Sequence, residues 1–287
     1  KKENLTIIPG STMALPFEKK SFLSKPNDPY SKFILDTYKT SIVTTSLHMN
    51  IGIDNMESFF KLLCALRLDT CLFLALSASS PFHDGKVTGF NSYRWHAFPH
   101  TPTFVPFFTH DKYISWSDEQ LATKKMFNAR HLWTSIRPNG PNRPHDINRI
   151  EIRICDFMYD TKKVVAIVAL IESLIQYYLS TENWPQVLNK TGKELDDLAN
   201  LITKQEELVA KDGLEASIWD WRNDTFSKSS NIIESIFKDI EPTAEKLGIT
   251  KYLAPVMNIL KDGNEATNYL KKYNIEGSIS KTMQYFI

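Results

Sequence analysis

In the run 149–156, Arg-Ile-Glu-Ile-Arg-Ile-Cys-Asp, charge and hydrocarbon exchange at every step as far as Ile154. A period of two belongs to an extended strand, so Glu151 and Arg153 project from one face and Ile150, Ile152 and Ile154 from the other. Residues 44–53 alternate in the same way, with His48 and Asn50 on one face and Leu47, Met49 and Ile51 on the other. Residues 133–137 read as a strand that stops at Pro138-Asn139-Gly140, and 148–155 as its hairpin partner across a loose turn at 141–145. Between these strands, the stretch from Asp54 or Asn55 to about Ser79 is apolar on most sides. It predicts a capped helix covered by other elements and ended by Ser80-Pro81. From Thr161 the period becomes helical, over 161–180, 192–211, 229–247 and a shorter pair to Tyr273, with Gly213 and Gly248 as C-terminal stops. Strands with one intervening helix, followed by a helical half, make the fold class α+β.

Two segments carry no clear period. Residues 1–40 are mixed, with turn signals at Pro9-Gly10 and Pro26-Asn27-Asp28-Pro29. Residues 82–117 form a long irregular stretch dense in aromatic and histidine side chains, punctuated by Gly85, Gly89, Pro99, Pro102 and Pro106. Such stretches are usually functional, and a flap over a site is expected here; a surface flap without chemical role is the plainer reading. The expected organisation is a single catalytic domain over 1–287, with a motif-rich sheet part at 41–156 and a helical part at 161–275.

Composition narrows the field. The chain has 287 residues, 42% hydrophobic and 23% charged, which is ordinary for a globular protein. Its 34 basic and 33 acidic side chains lack the excess of a dedicated nucleic-acid binder. Three cysteines, Cys64, Cys71 and Cys155, show no metal-ligand spacing and suit a reducing, cytoplasmic setting. Lys1-Lys2-Glu3-Asn4 opens no signal peptide, and the most apolar run, 164–179, holds Glu172 and Gln176, so it reads as a core helix and no membrane partner is expected.

The polar strand faces bring His48 and Asn50, Arg137, and Glu151 with Arg153 to one side of a sheet. Glutamate is a hard oxygen ligand for magnesium, and arginine clamps carboxylate or phosphoryl oxygens. No serine or cysteine sits in a recognisable nucleophile motif, and there is no Gly-x-x-x-x-Gly-Lys loop. Metal-assisted phosphoryl transfer on a sheet surface therefore fits better than covalent or P-loop chemistry. Each residue also has a plainer role: a solvated cross-strand ion pair, a structural His48, a turn at Arg137, an ordinary loop cation at Arg94.

The run Ser46-Leu47-His48-Met49-Asn50-Ile51-Gly52-Ile53 resembles a signature strand of the glutamate–cysteine ligase group. Residues 74–82, Leu-Ala-Leu-Ser-Ala-Ser-Ser-Pro-Phe, with Gly85, Gly89 and Asn91-Ser92-Tyr93-Arg94, resemble a second. Ser135-Ile136-Arg137-Pro138 and the Glu151–Asp156 run are similar to the remaining two, and Gly213-Leu214-Glu215-Ala216 fits more loosely. Four motifs in order resemble the bacterial and cyanobacterial-type carboxylate–amine ligases.

That resemblance implies a largely antiparallel, glutamine-synthetase-like catalytic sheet packed with helices. It implies ATP-dependent joining of the glutamate γ-carboxylate to the cysteine amine through an acyl phosphate, giving γ-glutamylcysteine on the way to glutathione. By the same resemblance, His48 and Glu151 would hold Mg2+, and Asn50 and Arg137 would face ATP. Arg137 and Arg153 would be catalytic, Arg94 and Arg153 would grip substrate, and the partners would be glutamate, cysteine and ATP. The family's acidic N-terminal strand, with closely spaced glutamates, has no counterpart in residues 1–40, which hold Glu3, Glu18 and Asp28. Two alternatives stay open: ligation to a different amine, and a non-catalytic homologue that uses the sheet as a binding surface.

Overall fold

The computed structural model describes residues 10–16, 28–38, 43–181 and 184–286; Pro9, Pro26 and Asn27, with Glu3 and Glu18, lie outside them. Along the chain come α1 (Pro29–Tyr38), β1 (Met49–Gly52), α2 (Met56–Ser77), a small hairpin of β2 (Phe82–His83) and β3 (Lys86–Val87), α3 (Tyr93–Ala97) and α4 (His110–Ala122). Then follow β4 (Ile136–Asn139), β5 (Arg149–Ile152), α5 (Thr161–Thr181), α6 (Lys193–Asp212), β6 (Ser217–Asp220), β7 (Thr225–Lys228), α7 (Ser229–Leu247), α8 (Thr250–Asp262), α9 (Glu265–Glu276) and α10 (Ile279–Tyr285).

The site is carried by an antiparallel sheet in the order β1-β5-β4. Alternation acts as the sequence predicts. Ile136, Ile150, Ile152 and Ile154 are at most 4% exposed and join the main core, so the residues between them must point to the opposite face. Register then aligns the polar positions: Asn50 lies opposite Glu151, and Glu151 opposite Arg137, in one row across three strands.

Beneath the sheet runs α2, capped where the Asn55 side chain accepts from the Ser58 N–H. It is buried on nearly every side, with Phe59, Leu62, Leu66 and Leu74 at 0% exposure. Each such side chain contributes about 1.5–3 kcal/mol relative to an exposed one. Helices α5, α6, α7 and α8 pack around it, and one core joins the sheet to the helical half. By length and composition α5 could cross a membrane, yet half of its most apolar window is buried inside the fold. Helices α6 and α7 end at Gly213 and Gly248, whose φ values of +59° and +68° favour glycine.

The irregular stretch after α2 is largely folded. Phe82, Trp95, Phe107, Phe108 and Tyr113 are buried, so these aromatics are core residues rather than an open flap. Arg67 of α2 pins the path, donating to the carbonyls of Val105 (2.6 Å) and Pro106 (2.7 Å) beneath the Phe107 ring. Three further elements had no sequence expectation: α1, the β6–β7 hairpin and α10.

Helix α1 is held by an aromatic clasp of Tyr30, Phe33 and Tyr38 around His131. His131 Nδ1 accepts from the Phe127 N–H (3.1 Å), which leaves Nε2 to donate to the Tyr38 hydroxyl (2.9 Å). The imidazole is neutral, and burial draws its pKa down to about 4. An unfolded histidine takes a proton near 6.5, about where the folded one still refuses it, so unfolding gains favour as pH falls through this window. Denaturant-measured stability should decline from about pH 6.5 towards 4, and His131→Gln should lose that share of the slope.

Candidate active site

Glu151 is the centre of the polar face. It is 5% exposed, and both carboxylate oxygens are taken. Oε1 accepts from Arg153 Nη1 at 2.9 Å and lies 3.3 Å from His48 Nδ1; Oε2 accepts from Arg137 Nε at 2.7 Å and from Asn139 Nδ2 at 3.1 Å. His48 Nδ1 also lies 3.5 Å from Arg153 Nη1, and His48 Nε2 shares a hydrogen bond with the Ser46 hydroxyl at 2.8 Å. Burial raises the Glu151 carboxyl, but the His48 hydrogen bond and the Arg137 and Arg153 charges outweigh it and hold the pKa well below the usual range. Burial and the charge of Arg137 draw Arg153 down to about 10, against the pull of Glu151.

The two arginines differ in what they have left to give. Arg137 Nη1 donates to the carbonyls of Leu132 (2.7 Å) and Arg130 (3.0 Å), while Nη2 has no acceptor among the described residues. Arg153 commits Nη1 to Glu151 and is the more exposed of the pair. Asn50, at the exposed end of the row, accepts from Arg149 Nε at 3.3 Å. Tyr30 of α1 lies within the field of Arg137 and Arg153, so this helix borders the same face. Chemically the arrangement is an anion receptor, in which one carboxylate holds guanidinium groups in fixed geometry with donors to spare.

A family model for glutamate–cysteine ligase family 2 matches residues 24–284. The chain belongs to this family. A curated relative from Solibacter usitatus, provisionally named glutamate–cysteine ligase 2, is 29% identical over 272 residues, covering 91% of this chain and 66% of the relative. Another of that provisional name, from Gloeobacter violaceus, is 27% identical over 241 residues, covering 81% and 60%. The chain thus spans less than two-thirds of these relatives' length. Among solved structures, glutamate–cysteine ligase from Francisella tularensis in complex with AMP aligns over 96% of this chain and 72% of its own, with a TM-score of 0.67 and 11% identity. That likeness is one of fold, and it agrees with the α+β sheet expected from the family resemblance.

Of the residues singled out in the sequence, His48, Arg137, Glu151 and Arg153 come together, with Asn50 beside them. Arg94 does not join them. It is 4% exposed; its Nε donates to Asp156 Oδ1, and its Nη2 donates to the Ile154 carbonyl. Asp156, itself fully buried, also accepts from the Ser79 N–H and the Ser80 and Ser92 hydroxyls. The expected substrate grip is therefore a structural lock that fastens the end of α2 and the start of α3 beneath the strand. Its saturated partner leaves it little reach towards a substrate.

The expected metal pair does not fit magnesium as arranged. Mg2+ asks for near-octahedral oxygen donors, whereas Glu151 already accepts from two guanidinium groups and its neighbour is an imidazole. Among the described residues no three His, Cys, Asp or Glu side chains gather as ligands. The cysteines stand apart from this chemistry: burial pushes Cys64 to about 11 and Cys155 to about 12, and raises Cys71 as well. Asn139, expected at the stop of the strand, instead keeps the period of two from Arg137 and donates to Glu151.

Two predictions follow from these contacts. Arg94→Met should lower stability by about 3–5 kcal/mol, the penalty for stranding a buried carboxylate, as read by urea unfolding; unchanged stability with weakened substrate binding would restore a substrate role. For Glu151, whose folded pKa is depressed, the stabilisation is present above the unfolded value of about 4.3 and is lost as pH falls below it. The acid limb of the stability profile should therefore be shallower in Glu151→Gln.

Proposed function

We propose that this chain carries the phosphoryl-transfer face of an ATP-dependent ligase that joins the γ-carboxylate of glutamate to the amine of cysteine. The observation that carries this reading is the row Asn50–Glu151–Arg137, with Arg153 beside it, on the polar face of the sheet. Family membership supports glutamate and cysteine as substrates, and the fold shared with an AMP-bound ligase supports a nucleotide-dependent reaction.

In this reading the γ-phosphoryl of ATP passes to a glutamate γ-carboxylate oxygen, giving an acyl phosphate and ADP. The cysteine nitrogen then attacks the acyl carbon, the carbon–oxygen bond to phosphate breaks, and the amine loses a proton as the amide forms. The difficulty is electrostatic, since two anions must meet. Arg153 and the Nη2 of Arg137, which meets no acceptor among the described residues, supply fixed positive charge at the transferring group, which is worth most where water is excluded. Glu151 is a positioning residue: it accepts from both arginines and sets their spacing before substrate arrives. His48 buttresses Glu151 through Nδ1 and is itself oriented by Ser46. Magnesium would supply further charge neutralisation as the nucleotide's counter-ion; none of these residue roles is assigned through it.

The absence of a three-ligand group among the described residues favours, as a second reading, a homologue that binds nucleotide or glutamate on this face without turnover. Phosphate release from ATP, followed with glutamate and magnesium and with or without cysteine, separates the readings. Cysteine-dependent release is expected, and Arg153→Gln should reduce kcat by about 100-fold. Release that depends on glutamate but not on cysteine would point to another amine. Nucleotide binding with no release at all would sink the ligase assignment.

A further inference from the structure

Arg137 owes its place on the polar face to a loop as much as to Glu151. Its Nε donates to Glu151 Oε2 at 2.7 Å, and its Nη1 donates to the carbonyls of Leu132 (2.7 Å) and Arg130 (3.0 Å). A guanidinium is planar, so acceptors on Nε and Nη1 together fix the plane and hence the direction of Nη2. Glu151 is held by the sheet. The two carbonyls are not: they come from the residues on either side of His131, at the end of the single helical turn Ala129–His131. Whatever sets that turn sets one side of Arg137.

His131 is the residue that sets it. Its ring is fully buried and uses both nitrogens: Nδ1 accepts from the Phe127 N–H at 3.1 Å, and Nε2 meets the Tyr38 hydroxyl at 2.9 Å. The first bond closes the turn on itself; the second ties it to the end of α1. Asn128 caps the same turn, its side chain accepting from the Arg130 N–H and its carbonyl from the His131 N–H, both at 2.9 Å. On the far side, the Thr101 and Trp133 backbones exchange two hydrogen bonds, at 2.7 and 3.1 Å, and the Thr101 hydroxyl also bonds Tyr38. The main chain is thus fastened immediately before and immediately after the two carbonyls, with the imidazole packed edge-on against Trp133 between these ties.

A continuous hydrogen-bond chain therefore runs from Tyr38, through His131 and the main chain of residues 130–132, to the Arg137 guanidinium. We propose that His131 is a positioning residue for Arg137: by holding the Arg130 and Leu132 carbonyls against Nη1, it fixes the direction of Nη2 before an anion arrives. The proposal rests on the reading of Arg137 as a group that meets the transferring phosphoryl, and it extends that site to α1. His131 itself touches no substrate. An arginine anchored only through Nε would turn about its terminal bonds, and fixed charge is worth more to a charge transfer than mobile charge.

The test exploits the shapes of the two amides. Asparagine places an oxygen near the position of Nδ1, so His131→Asn keeps an acceptor for the Phe127 N–H; His131→Gln places its amide nitrogen near Nε2 and loses that acceptor. The first readout is nitrogen-15 NMR of the Arg137 guanidinium in the full chain, its signals assigned by their absence in Arg137→Lys. Separate Nη1 and Nη2 signals are expected in wild type and in His131→Asn, and averaged ones in His131→Gln. The second readout is kcat for cysteine-dependent phosphate release. His131→Gln should lower it by about tenfold to a hundredfold with the KM for ATP unchanged, and His131→Asn should recover most of the loss. In an Arg137→Lys background the His131→Gln cost should vanish, whereas a merely structural residue would cost the same factor in both backgrounds. Separate signals in His131→Gln, or equal costs in the two backgrounds, would overturn the proposal. If His131→Gln does not fold, Tyr38→Phe, which removes only the hydroxyl, is read in the same two ways; a smaller change in the same direction is expected, and none would overturn the proposal. Averaged signals in His131→Gln of a protein that releases no phosphate would uphold the positioning and remove the ligase reading. Separate signals alongside normal cysteine-dependent release would do the reverse.

Discussion

A single carboxylate, Glu151, organises the polar face of this protein, and its burial is what makes it effective. At 5% exposure an isolated carboxylate would be expelled or protonated. Here each oxygen accepts from a guanidinium and has a second polar neighbour, so the charged form persists. Buried ion pairs of this kind add little net stability, because desolvation offsets the attraction. What they supply is geometry. Arg137 and Arg153 are held at fixed spacing on neighbouring strands, and the reorganisation that water would demand during a charge transfer is already done.

A second buried arginine–carboxylate pair lies only five residues further along and does different work. Asp156 accepts from Arg94, Ser80, Ser92 and the Ser79 amide, so every direction around it is filled by the chain itself. It fastens the end of α2, the start of α3 and the continuation of β5 into one block under the sheet. Similar residue types thus give a closed lock on one side of the strand and an open receptor on the other. The difference lies in whether the acceptor is saturated. Glu151 is shared by arginines that keep spare donors, whereas Asp156 collects hydroxyl and amide donors around one arginine.

The residues around the receptor also show why an anion suits it better than a bare cation. Arg137 and Arg153 outnumber Glu151, and His48 stands beside its Oε1. Helix α1, clasped around His131, brings Tyr30 within the field of Arg137 and Arg153. A divalent ion entering here would meet guanidinium groups first, and the described side chains offer it too few oxygens.

Strand alternation, helix periodicity and cap chemistry are local properties, and the sequence by itself determined what rests on them. The polar face of Glu151 and Arg153, the buried α2 with its Asn55 cap, the helical second half and the glycine stops at Gly213 and Gly248 were all legible before any coordinates. So was the family, because four short motifs in order carry more information than any one of them. Only the tertiary structure decided contacts between residues far apart in the chain. It gave Arg94 to Asp156, folded the aromatic stretch into the core and revealed α1 around His131. An arginine reads alike in sequence whether its acceptor is a buried aspartate or an incoming anion. Which of the two it meets depends on burial and on partners 60 or more residues away, as with Arg94 and its Asp156 and Ile154 acceptors, and no local pattern records that.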